Sequence, residues 1–162
     1  MPEPREMEMR VYLVRHAHAV DADADPARPL SARGVEQLKT LAKFLRPSGA
    51  FAPGEIWHSP LARSRETAEL LAKHLRLTVP LKLVPGLEPD DDPAVVATRL
   101  KACASPVAIV GHEPHLSALA TLLITGRTEP AKFTMKKSAA LALEGIGPHW
   151  SVRWHVSPEL LA

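Results

Sequence analysis

Two short apolar runs constrain what this chain can fold into. Val11-Tyr12-Leu13-Val14 stops against Arg15-His16, and Val107-Ala108-Ile109-Val110 stops against Gly111-His112. A run of four apolar residues without polar alternation reads as a strand buried on both faces, its carboxyl end opening into a loop. Ile56-Trp57 and Leu81 to Val84 read as two further short strands, and Ala139 to Leu143 and Val152 to Val156 as an edge pair. Helical signals lie between them. Ser31 offers a cap before Val35, Leu38, Leu41, Ala42 and Leu45, which recur at helical spacing until Pro47 and Gly49. Ser59-Pro60 reads as a capping hydroxyl followed by proline at the first helical position, opening a helix to about His74. Asp92-Pro93 opens another helix, to Lys101, and Pro114 starts one that Gly126 can end. Strand alternating with helix predicts a three-layer α/β/α fold with a mostly parallel central sheet.

The 162 residues suffice for one domain with a real core, and 46% hydrophobic residues exclude a disordered chain. The 16 prolines are scattered at element boundaries and no linker splits the chain, so the expected organisation is a loose leader over 1–9, one domain over 10–157 and a short tail over 158–162. A formal charge of +2 is too near balance to argue for nucleic acid or a membrane surface as partner. Cys103 is the only cysteine, which rules out an internal disulfide and suggests a reducing, cytoplasmic setting. No apolar run approaches the roughly 18 residues of a membrane span, and the first residues have no apolar stretch of the kind a secretion signal needs.

Arg15, His16, Gly111 and His112 all fall where a strand ends, the place at which open α/β sheets bind ligands. Arg63 falls in the first turn or so of the helix after Ser59. Two arginines, two histidines and helix N-termini meeting in one crevice suit a phosphoryl group: guanidinium offers planar forks of donors, and neutral imidazole offers a nitrogen nucleophile.

Arg15-His16-Ala17, Ser59-Pro60-Leu61-Ala62-Arg63 and Gly111-His112-Glu113, taken in order, resemble the motifs of the histidine phosphatase superfamily, the phosphoglycerate mutase-like fold. LSARG at Leu30 to Gly34, SPLARSRETAELL at Ser59 to Leu71 and VGHEPHLS at Val110 to Ser117 are similar to its small SixA group of phosphohistidine phosphatases. The likeness runs from about Arg10 to Val156, with no large cap insertion. The resemblance implies that His16 is a nucleophile forming a phosphohistidine intermediate, that Arg15 and Arg63 clamp the phosphate, and that His112 is a second histidine beside it. It implies hydrolysis of phosphohistidine on a protein, such as a histidine phosphotransfer domain of a two-component relay, with no metal and no cofactor.

Two positions depart from the motifs. Ala17 stands where the superfamily has glycine, and His18 stands where the group often has an acidic residue, as a candidate substrate contact. Larger relatives supply a glutamate general acid after the third strand; Glu88 is the nearest candidate, with Asp90 to Asp92 close by. A leaving imidazole needs less protonation than an alkoxide.

Other readings compete with this one. His16-x-His18 and His112-x-x-His115 are spacings a zinc site could use, although two phosphate-clamping arginines would crowd a cation. A phosphatase of small phosphate esters and a phosphate-binding module without turnover are the alternatives within phosphate chemistry. Arg65 lies about 200° around the helix from Arg63, so it is expected to pair with Glu69 on a wet face. Lys136 and Lys137 read as an exposed turn, or as a means of orienting an acidic partner.

Overall fold

Alternate residues of the central strands are apolar on both sides, and both sides are covered. The computed structural model describes residues 8–21 and 27–161. On one face of the sheet Tyr12, Val14, Ala108, Val110, Ala140 and Ala142 pack with Leu41, Leu45, Leu71 and Phe51. On the other, Val11, Leu13, Val107, Ile109, Leu141 and Leu143 pack with Val96, Leu100, Leu116 and Leu119. Strands β1 (Glu8–Arg15), β2 (Glu55–His58), β3 (Leu81–Leu83), β4 (Val107–Gly111), β5 (Ala140–Ile146) and β6 (His149–Val156) lie in the order β3-β2-β4-β1-β5-β6. Pairs β3-β2, β2-β4 and β4-β1 are parallel, whereas β5 runs antiparallel to β1 and forms a hairpin with β6. Helices α1 (Ala32–Leu45) and α2 (Ala62–His74) cover the first face, and α3 (Pro93–Leu100) and α4 (His115–Thr125) the second. The expected three-layer α/β/α fold with a mostly parallel sheet is the one observed.

The predicted caps hold at three helices. Ser31 accepts a hydrogen bond from the Gly34 N–H and Asp92 one from the Ala94 N–H, while Gly126 ends α4 at φ 81°. The expected start of α2 is corrected. The helix begins at Ala62 with Leu61 at its cap, and no side chain caps it. Ser59 and Pro60 stay outside because the Ser59 hydroxyl is engaged elsewhere, as described below. Strand β1 begins at Glu8, two residues before the expected boundary, with Glu8 and Met9 paired to Ile146 and Gly145; leader residues 1–7 lie outside the described residues. Pro158–Leu160 form a single 3-10 turn. No described helix is long and apolar enough to cross a membrane.

Register decides what meets at the sheet's carboxyl edge. Arg15 lies opposite Gly111, and His58 opposite Val110. Ser59, His112 and His16 therefore leave β2, β4 and β1 at one level, on three neighbouring parallel strands. The His16 N–H extends the ladder by donating to the Gly111 carbonyl at 2.9 Å.

Candidate active site

His16 is buried, 6% exposed, and its Nδ1 lies 2.8 Å from the Ala17 carbonyl oxygen. A carbonyl can only accept, so Nδ1 carries the proton and neutral His16 keeps its lone pair on Nε2. Burial, with Arg63, Arg15 and Lys137 as nearby positive charges, lowers its pKa to about 4, against a partial opposing effect of the Ala17 carbonyl. The ring of His112 lies 5.2 Å from that of His16, centroid to centroid. Thus Arg15, His16, Arg63 and His112, singled out in three separate stretches of sequence, come together.

Each is held by neighbours. Arg15 donates from a terminal guanidinium nitrogen to the Met135 carbonyl at 2.9 Å. Burial lowers its pKa and the Glu113 carboxylate opposes that shift. Arg63 sits in the first turn of α2, 5% exposed. Its carbonyl accepts from the Thr67 hydroxyl at 2.7 Å, and the same Thr67 oxygen accepts the Ala17 N–H at 3.0 Å. One threonine thereby ties the arginine's helix to the loop after His16. Ala17 is fully buried and its φ is not positive, so the backbone here does not require the glycine of the superfamily motif.

Ser59 is the residue that sequence reasoning misplaced. Its Oγ lies 2.6 Å from His112 Nε2 and also accepts the Leu61 N–H at 3.3 Å. The Ser59 N–H donates to Ser64 Oγ, which donates in turn to the Val110 carbonyl. A serine at the end of β2, level with the histidine after β4, was the available signal. If Ser59 orients His112, Ser59→Ala lowers kcat roughly tenfold while leaving KM nearly unchanged, the cost of one buried hydrogen bond; steady-state kinetics beside a thermal melt would check it.

The loop carrying His18 is pinned to α1. The His18 N–H donates to Gln37 Oε1 at 3.1 Å, Ser31 Oγ lies 2.7 Å from His18 Nδ1, and the Ser31 N–H donates to the His18 carbonyl. A Cβ added at Gly34 would stand 2.1 Å from that carbonyl oxygen. The glycine of the LSARG stretch is therefore what lets the helix approach the loop. Lys137 is half-buried, and its charge acts on both His16 and His18.

Glu88 is not gathered into this group by any contact. It lies exposed in the turn after β3, and among the described residues its carboxylate makes no hydrogen bond or ion pair; only its backbone bonds with Asp91. Nor are the zinc spacings realised, since among the described residues no three His, Cys, Asp or Glu side chains group to hold a metal. Glu113 instead accepts from the Ser117 N–H and hydroxyl in the first turn of α4. Arg65 pairs with Glu69 at 3.4 Å on an exposed face, as expected.

The profile of the histidine phosphatase superfamily (branch 1) matches residues 11–88. Phosphohistidine phosphatase SixA of Escherichia coli (strain K12) is 28% identical over 155 residues, covering 93% of this chain and 94% of that protein. An uncharacterized protein of Picosynechococcus sp. is 32% identical over 142 residues, covering 83% and 84%. The solved structure of the protein histidine phosphatase SixA complexed with tungstate superposes with a TM-score of 0.86 at 26% identity, over 95% of this chain and all of that one. A putative alpha-ribazole-5'-P phosphatase from E. coli shares the fold, with a TM-score of 0.74 at 20% identity, over 93% of this chain and 98% of that one.

Proposed function

This chain belongs to the histidine phosphatase superfamily as a phosphatase of SixA type, and from that premise we propose that it hydrolyses phosphohistidine on a protein through a phosphoryl intermediate on His16. The observation that carries the reading is the hydrogen bond from His16 Nδ1 to the Ala17 carbonyl, in a setting that holds the ring neutral. Nε2 is left as a nucleophile beside Arg15, Arg63 and His112.

The chemistry follows from that arrangement. Nε2 attacks phosphorus in line, the substrate's P–N bond breaks, and the leaving imidazole keeps the bonding pair. Its distal nitrogen takes a proton from solvent, so a neutral imidazole departs. Arg15, Arg63 and His112 hold the equatorial oxygens while the phosphoryl group passes between nitrogens. Water then attacks the phosphoryl group on His16 from the vacated side, releasing inorganic phosphate and regenerating the histidine. The positive charge comes from protein side chains, so no step calls for a metal or cofactor. A cytoplasmic setting suits the lone, half-buried thiol of Cys103. The partner we propose is a phosphohistidine-containing protein, with a two-component histidine phosphotransfer domain as its specific form.

Glu88 is retained as the candidate proton donor for an ester leaving group. For a phosphoramidate it is dispensable, so Glu88→Gln changes phosphohistidine turnover by less than about threefold while slowing any phosphomonoester reaction roughly tenfold or more. Parallel assays on the two substrates distinguish these effects.

Phosphate release tests the proposal: a chemically phosphorylated histidine phosphotransfer domain is compared with p-nitrophenyl phosphate, each with and without EDTA. Selective, EDTA-insensitive release from the phosphohistidine protein is expected. Equal or faster turnover of the ester would move the activity to small phosphate esters.

The nucleophile's charge state gives a further expectation. An ordinary histidine is half protonated near pH 6.5, whereas His16 titrates at about 4. Roughly nine-tenths of His16 is then still neutral at pH 5, and kcat/KM, corrected for spontaneous hydrolysis, holds its plateau to below that pH. The same shift acts on stability. The unfolded chain binds the proton more readily, so stability is full above the unfolded value and is lost as pH falls through about 4. Imidazole nitrogen shifts followed by NMR from pH 7 to pH 4 would give the titration directly.

A further inference from the structure

Beside the phosphate site a cleft of about 600 Å³ runs from Arg15 and His18 along α1, past Arg33, Gln37 and Thr40, to Pro158 and Glu159. Lys136 and Lys137 form its other wall near His18. From Arg33 to Thr40 the helix climbs about 10 Å, the reach of roughly three extended residues. Among the described residues Arg33, Lys136 and Lys137 have no ion-pair partner. Among the described residues the nearby carboxylates do little to neutralise them. Glu36 is taken by Lys39 at 3.2 Å, Glu159 accepts from the Ser157 hydroxyl at the far end, and Asp21 acts on Lys137 from a distance. Burial first, then Arg15, Arg28 and Arg33, depresses the Lys137 ammonium, outweighing the opposing charge of Asp21. Such a mouth is unfavourable empty and gains by receiving an anion.

We propose that this cleft is the docking groove for an acidic stretch flanking the phosphohistidine of the partner protein, its carboxylates seated between Arg33, Lys136 and Lys137 while the phosphohistidine reaches His16. The inference rests on the phosphohistidine reading above. The groove is polarised, with the basic residues at the nucleophile's end and Glu159 at the other. An acidic residue one or two positions from the phosphohistidine therefore meets the basic end, whereas one three positions away would reach Glu159. Two or three partly exposed pairs of this kind together account for roughly tenfold in kcat/KM.

Three probes separate the possibilities: a phosphohistidine heptapeptide with glutamate at the first and second positions beside the phosphohistidine, the same peptide with lysine there, and N-phosphoimidazole. Wild-type protein is expected to prefer the glutamate peptide about tenfold in kcat/KM, an advantage that shrinks in concentrated NaCl. The Arg33→Glu/Lys136→Glu double variant is expected to lose or reverse that preference while turning over N-phosphoimidazole at the wild-type rate. Wild-type turnover of all three probes without the acidic preference overturns the docking groove alone. So does a double variant that slows equally on N-phosphoimidazole. Wild-type protein inert toward all three overturns the phosphohistidine reading and the groove with it.

Discussion

His16→Ala is expected to lower kcat for phosphohistidine hydrolysis by about 10,000-fold or more. The size follows from what is lost. Without Nε2 the phosphoryl group has no acceptor held in line, and water must attack unassisted inside a site built for nitrogen. Arg15, Arg63 and His112 would still bind the phosphate, so affinity should persist while turnover is lost. A role limited to hydrogen bonding at the phosphate would cost far less, about a hundredfold to a thousandfold. Because the side chain is buried and its Nδ1 bond to Ala17 is local, the variant should keep the fold, which circular dichroism and phosphate binding would show.

The second large effect falls on Arg63. Arg63→Ala is expected to lower kcat/KM by about a thousandfold, since it deletes a charged donor from a buried site where charge on the equatorial oxygens must be matched. Arg63→Lys separates charge from geometry. Lysine restores a positive charge without the planar fork, so it should recover only part of the loss, about tenfold. The arginine's burial and its position in the first turn of α2 limit rearrangement around it. Steady-state kinetics on a phosphohistidine protein, with wild type and both variants at equal folded fraction, measures both steps. The alanine variant also moves the His16 titration upward, because Arg63 has the largest effect among the positive charges lowering it.

Much of this site could be read from letters because strand ends announce themselves. The apolar runs before Arg15 and before Gly111 gave both a strand and its terminus, and parallel order then put the following residues at one edge. Arg63 was legible from its distance behind Ser59-Pro60, and Arg65 could be set aside by helical angle, as its pairing with Glu69 bears out. What sequence could not supply was register. The level alignment of Ser59 with His112 depends on His58 facing Val110 across β2 and β4, and nothing local encodes that pairing. A capping serine and a histidine-orienting serine look identical before the fold exists, so Ser59 reads as a cap and the expected α2 starts two residues early. Lys137 was hidden for a similar reason. Its half-burial comes from the segment before β5 folding back over the motif, where the Ser138 N–H reaches the Arg15 carbonyl at 3.1 Å. Glu88 shows the converse, since among the described residues its carboxylate makes no hydrogen bond or ion pair, and its candidacy rests on its place in the chain.

Phosphoryl transfer through Nε2 of His16 is the step on which the proposed mechanism turns. Rapid quench in alkali after mixing the protein with 32P-labelled phosphohistidine substrate, followed by peptide mapping and phosphohistidine isomer analysis, tests it most directly. The expected result is an acid-labile, alkali-stable label on the His16 peptide, carried on Nε2, that forms and decays fast enough to support turnover. Label on Nδ1 or on another residue, or steady turnover with no phosphoprotein at any time, would contradict it.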